Sequence, residues 1–278
     1  MTGGPGPAFY VLTVLVVLGA GYAVGVKRLR ARGVRWPIHR SASFTAGLLC
    51  LAVAVLPLPG PLAEFPAHVA AHLLMAMLAP LLLALSAPIT LLLRTTHGRV
   101  RSVPLGVLHS RWARLILLGP VIIVLDIGGL YAFYLTPLYE LAHHNEALKA
   151  VVHLHMFLTG CLLSWYLVGA DPIKHRPGIR MSLAVLLLIA AAHDMLEKVM
   201  FAHQLPSGAG APADIEFGAQ LMYYGGTVVE LALAVTVLLR WYRRTGRSYR
   251  REELRSATRR RNDAGPAPIT SRTSRAVM

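Results

Sequence analysis

The chain has 278 residues, 55% of them hydrophobic, with 28 Lys and Arg against 13 Asp and Glu for a formal net charge of +15. Nucleic-acid binders gather such charge on one soluble face beside groups that read bases, whereas here every Lys and Arg except Lys149 and Lys198 flanks an apolar run or lies in the C-terminal tail. Seven runs of spanning length, joined by short loops, leave no room between them for a separate soluble catalytic domain.

In chain order, the first run, 8–26, has no basic stretch before it and continues into charge from Lys27. It is therefore expected to be a retained helix and not a cleaved signal peptide. Gly21 and Gly25 lie on it at a packing interval. The second run, 42–58, holds Cys50, which with Cys161 of the fifth run reads as a buried small hydrophobe, since no C-x-x-C spacing is present. The third run, 67–93, opens with His68 and His72, four apart and so on one helix face, and Met75 continues that stripe. Pro80 and Pro88 each remove an intrahelical hydrogen bond and are expected to bend or locally open the third span, as is Pro120 in the fourth run, 113–135.

The fifth run, 148–169, begins with His153 and His155, which at a spacing of two point to nearly opposite sides. On the sixth, 179–201, His193, Glu197 and Met200 share a face, while Asp194 and Lys198 are expected to form an ion pair beside it. The seventh, 216–241, carries Gly225, Gly226 and Glu230. From 243 to 278 the chain is Arg, Ser, Thr, Pro and Gly with hardly any large apolar residue, so a disordered basic tail is expected after a membrane domain over 1–242.

The alternating charge sets orientation. Positive loops stay cytoplasmic, so the expectation is an all-α polytopic membrane helix bundle of seven spans, N terminus outside and C terminus in the cytoplasm. Anionic lipid headgroups of the inner leaflet are the expected partners of the arginines. No internal repeat is visible, which disfavours an inverted-repeat transporter.

The histidines divide along this topology. His39, His97, His109 and His175 fall in basic loops and read as solvated, whereas His68, His72, His143, His144, His153, His155, His193 and His203 all lie at the outer end. Polar side chains at membrane depth are expensive and point to function. At about 1.5 Å per residue, His72, Met75, His153, His155, His193 and Glu197 all sit roughly 6 to 12 Å below the outer surface. Neutral imidazole suits Cu, Zn and Fe, thioether suits Cu(I), and a carboxylate pulls toward Zn or Fe, so His and Met without thiolate fit copper. Haem held by two axial histidines, and zinc or another ion activating water beside Glu197, are the competing readings. Asp126 and Glu230 stand near mid-membrane, either as a proton path, as acceptors that orient ligand imidazoles, or as a polar tie between helices.

Three stretches carry a resemblance: AHVAAHLLMAMLAPLLLALSAPITLLLR from Ala67, GLYAFYLTPLYELAHHNEALKAVVHLHMFLTGCLLSWYLVGADP from Gly129, and IAAAHDMLEKVM around His193. With H-x-x-x-H, H-x-H and D-P in that order, the chain resembles the polytopic membrane family typified by the cytochrome c oxidase assembly factor CtaG. The resemblance implies a multi-pass protein of the bacterial plasma membrane. It would not be an enzyme, and it would bind copper and deliver it to haem-copper oxidase subunits. It also points to His68, His72, His153, His155 and His193 as the functional set. The chain departs from the pattern at Asp126-Ile-Gly-Gly, at Glu197 and Lys198, and at Thr227, where an acidic residue is expected and Glu230 follows a turn later. A copper transporter, with a polar line from His72 through Asp126 to Glu230, is the remaining alternative.

Overall fold

A computed structural model of the chain describes residues 6–56, 62–98, 101–103, 105–106, 110–171 and 177–263. His109, His175 and residues 264–278 lie outside it. The described residues are helical throughout, with no strand among them. Eleven α-helices are used here: α1 Pro7–Ala31, α2 Ile38–Val55, α3 Glu64–His72, α4 Ala79–Ser86, α5 Pro88–Thr95, α6 Arg111–Ile116, α7 Gly119–Leu135, α8 Leu138–His143, α9 Glu146–Leu167, α10 Ile179–His203 and α11 Pro212–Asp263. The chain divides into two compact units, Met1–Val237 and Leu238–Met278.

Among the described residues, six helical segments are long and apolar enough to cross a membrane, the third being α3 to α5 taken together as Glu64–Thr95. Large apolar side chains such as Val16, Leu187 and Val228 are exposed on them, as expected where lipid takes the place of a protein neighbour. The fourth run reads differently from expectation. It is broken into α6 and α7, and α7 has only 17 residues, about 25 Å of helix against a hydrocarbon core of about 30 Å. Pro120 is the cause, but it starts a helix and does not bend one: its ring excludes the carbonyl four residues earlier, so α6 stops at Ile116 and α7 restarts with Pro120 in its first turn.

The third span is interrupted twice, at the two prolines the sequence singles out. Ahead of Pro80, Leu73–Leu78 form a π turn. The Ala76 carbonyl, which Pro80 cannot take as a helical partner, lies against Gly160 of α9, where any Cβ would overlap it. Ahead of Pro88, Ala87 adopts a left-handed conformation, φ 53° and ψ 55°. Three backbone groups freed by that break find partners elsewhere, as burial favours. The Ala84 carbonyl accepts from the Ala170 N–H at 3.4 Å, the Ser86 carbonyl accepts from the Tyr22 hydroxyl at 3.2 Å, and the Thr90 N–H donates to Asp171 at 2.6 Å. The D-P landmark is thus a helix cap supplied from the loop after α9.

α11 runs on to Asp263, where the composition suggested disorder from 243. The stretch from Arg247 to Asp263 contains neither Gly nor Pro, and seven of its residues are Arg and two are Glu, both good helix formers. Low hydrophobicity argues against a packed core there, not against local helix.

Inside the first unit the apolar core forms two main clusters. One centres on Phe65, Tyr134, Leu196 and Met200, the other on Leu81, Ile122, Val185 and Ile189. The polar groups of interest sit at the seam between them.

Candidate functional site

His193 projects from α10 and is buried between two acids. Its Nδ1 donates to Glu230 Oε1 of α11 at 2.7 Å, and its Nε2 faces Asp126 Oδ2 of α7 at 3.8 Å. In the neutral tautomer that keeps the proton on Nδ1, Nε2 turns its lone pair toward Asp126, at a distance too long for a hydrogen bond. A carboxylate holding one imidazole nitrogen so that the other is presented to a ligand is the usual arrangement behind a metal-binding histidine.

Nε2 opens toward a cavity of about 30 Å³. Its polar lining comes from His72, Asp126, His155, Thr159, Ser164 and His193. Ala76, Leu130 and Met156 of one core cluster and Leu163 and Leu233 of the other close it. The space suits one or two water-sized occupants. Two of its polar atoms, His72 Nδ1 and Asp126 Oδ2, are buried and lack a hydrogen-bond partner. Leaving such atoms unpaired costs about 1 to 3 kcal/mol each, so this small volume concentrates polar groups that a cation would satisfy.

His155 also lines the cavity, but its Nε2 is engaged with the Leu125 carbonyl at 3.1 Å. Gly129 makes that possible, because a Cβ there would overlap the ring nitrogen. His153 faces the other way, as the spacing of two requires. It stacks on His68, ring centroids 5.6 Å apart and planes 29° apart, and His68 also meets Phe133 and Tyr139 at 5.6 and 5.5 Å. Burial, with Glu64 nearby, pushes the Tyr139 hydroxyl up to about 12, so it remains a proton donor at neutral pH.

The seven residues singled out in the sequence therefore do not form one shell. His72, His155 and His193 share the cavity, while His68 and His153 pair outside it. Met75 packs instead among Leu15, Leu51 and Leu83, and Met77 lines the cavity. The π turn explains the exchange: with i→i+5 bonding, the residue that returns to the face of His72 is Met77, whereas Met75 falls there only in a regular α-helix. Glu197 is buried with Oε2 unpartnered, but it turns toward Gly226 and not into the cavity. The expected Asp194–Lys198 ion pair does not form; the Lys198 ammonium lies 6.0 Å over the Tyr223 ring instead. Among the described residues, no three His, Cys, Asp or Glu side chains converge closely enough to hold a metal ion as they stand. Asp126 and Glu230 are the acids that matter here, and their lack of any partner within their own helices was the signal.

A family model described as cytochrome c oxidase caa3 assembly factor matches residues 20–244. An uncharacterized protein of Mycobacterium bovis is 30% identical over 172 residues, covering 58% of this chain and 26% of that protein. An uncharacterized protein of Mycobacterium leprae is 24% identical over 261 residues, covering 86% of this chain and 39% of that protein. The chain thus spans between a quarter and two fifths of the length of these curated relatives. No solved structure matches it.

Proposed function

From the premise that this chain belongs to the cytochrome c oxidase caa3 assembly factor family, we propose that it is a non-catalytic carrier that binds copper in the His72–His193 cavity and passes it to an oxidase subunit. The observation that supports this reading is that His72, Asp126 and His193 line one small cavity, with His72 Nδ1 and Asp126 Oδ2 buried and without hydrogen-bond partners. A site of this volume suits an ion and not a porphyrin, which would need a pocket of several hundred Å³.

Two imidazoles with the nearby Met77 thioether suit Cu(I), and Asp126 offsets its charge. Small movements of α3 and α10 are needed to close the ligands around the ion, and the same looseness lets it leave. Transfer is ligand exchange: as each copper–nitrogen bond breaks, a bond to a donor on the acceptor forms, with no change in oxidation state. His68 and His153 lie nearer the histidine-bearing end and serve as the approach.

The same reading takes α6 and α7 together as a seventh crossing, puts the N terminus and the histidine-bearing end outside, and assigns the protein to the bacterial plasma membrane with its arginine-rich loops in the cytoplasm. Deleting the gene should leave oxidase with haem but depleted of copper. The purified protein, loaded under reducing conditions, should retain Cu(I), and His72→Ala with His193→Ala should retain at least tenfold less by metal analysis. Unchanged copper stoichiometry in that double variant would remove the proposal.

A further inference from the structure

Independent of copper, the first unit contains a second and much larger open groove of about 1370 Å³, lined mainly by α1, α2, the third span and α9. Apolar side chains wall it for most of the membrane depth, among them Val11 and Leu15 of α1, Leu51 of α2 and Phe157 of α9. Its mouth at the histidine-bearing end is polar and carries both signs of charge. Glu64 pairs with His143 at 3.4 Å, and Glu146 pairs with Lys149 at 3.8 Å. All four side chains are at least 42% exposed, so water screens the pairs and they exchange partners readily. Lys149 is one of only two basic residues that the sequence places away from the arginine-rich loops. One turn in from Glu64, roughly 6 Å deeper, His68 also lines this space, its Nε2 buried and without a hydrogen-bond partner.

Lining and charge together select the occupant. The lining is largely apolar, and the mouth carries both signs of charge, which suits a molecule with hydrocarbon chains and a zwitterionic headgroup. Flexible hydrocarbon chains conform to such a gap. We propose that it holds one zwitterionic phospholipid of the leaflet at the histidine-bearing end, its phosphate on Lys149 and its ammonium between Glu64 and Glu146. The acyl chains lie between the α1–α2 hairpin and α9. At its depth below the rim, His68 Nε2 meets an ester carbonyl, which supplies the partner it otherwise lacks. The lipid then forms part of the wall beside the His68–His153 pair.

Native mass spectrometry of the full chain, released from detergent after exchange into phosphatidylethanolamine or phosphatidylglycerol, tests this. One phosphatidylethanolamine per chain should be retained, about tenfold more tightly than phosphatidylglycerol. Glu64→Gln with Glu146→Gln, which removes the two acids assigned to the ammonium, should abolish that preference. Val11→Trp, which fills the apolar part and leaves the mouth intact, should expel the lipid while helical content and copper retention stay unchanged. Equal retention of both lipids, retention unaffected by Val11→Trp, or a second protein chain in place of lipid would each overturn the proposal. Copper retention and oxidase copper content are separate readouts, so failure here leaves the cargo site standing.

Discussion

Two buried aspartates on opposite sides of the bundle's seam do opposite things. Asp171 is wholly buried, and its Oδ1 accepts from both the Thr90 N–H and the Thr90 hydroxyl at 2.6 Å, closing the N terminus of α5. Asp126 is less deeply buried and stands among His193, Glu230, His155 and Thr159, and its Oδ2 faces His193 Nε2 across 3.8 Å without a hydrogen bond. Each leaves Oδ2 without a hydrogen bond. The first carboxylate is nevertheless committed to a backbone terminus, whereas the second faces a cavity beside an unpartnered imidazole. Burial of charge alone does not mark a site; burial with the coordinating side left open does.

The sharpest way to break this contrast is at the contact between the third span and α9. Gly160→Ala forces a Cβ into the Ala76 carbonyl beside the cavity and should cost about 3 kcal/mol, read as a large drop in the unfolding midpoint in detergent together with loss of copper retention. Glu230→Gln should leave the midpoint nearly unchanged but weaken copper binding about 10- to 100-fold, because the orienting carboxylate is lost while the amide still fits; a competition titration against a Cu(I) chelator measures it. Asp171→Ala should do the reverse, costing about 1 to 2 kcal/mol of stability through two unsatisfied donors, with copper affinity per folded molecule unchanged. If Asp171→Ala lowers affinity and Glu230→Gln does not, the assignment of roles is inverted. Lys198→Gln removes only a cation over the exposed edge of Tyr223 and should shift stability by no more than about 0.5 kcal/mol.

Much of the fold is legible in the sequence because hydropathy and proline chemistry are local. Apart from α11, which runs on to Asp263, the helices end within a few residues of where the apolar runs do, and Pro80 and Pro88 mark both breaks of the third span. Pro120 was legible as a disturbance but not as a start, since that depends on the chain giving up the short α6 before it. The site was legible only in part. Spacing correctly separates His153 from His155 and aligns His193 with its own helix face, but it assumes regular helices. The π turn at Leu73–Leu78 violates that assumption and exchanges Met75 for Met77. Pairings between helices, such as His193 with Glu230 or Asp171 with Thr90, depend on how segments lean together, which a single sequence does not encode in any short pattern. The helical extension of α11 was missed for another reason: polarity was read as disorder although the local propensities favoured helix.

The wide turn at Leu73–Leu78 also gives the third span a choice of register. Tightening it to ordinary helical winding would swing everything on the His72 side by about 100° and slide it by about 1.5 Å relative to the part after Pro80. Both histidines of that segment would sweep across the neighbouring helices together, and the thioether beneath them would change from one methionine to the other.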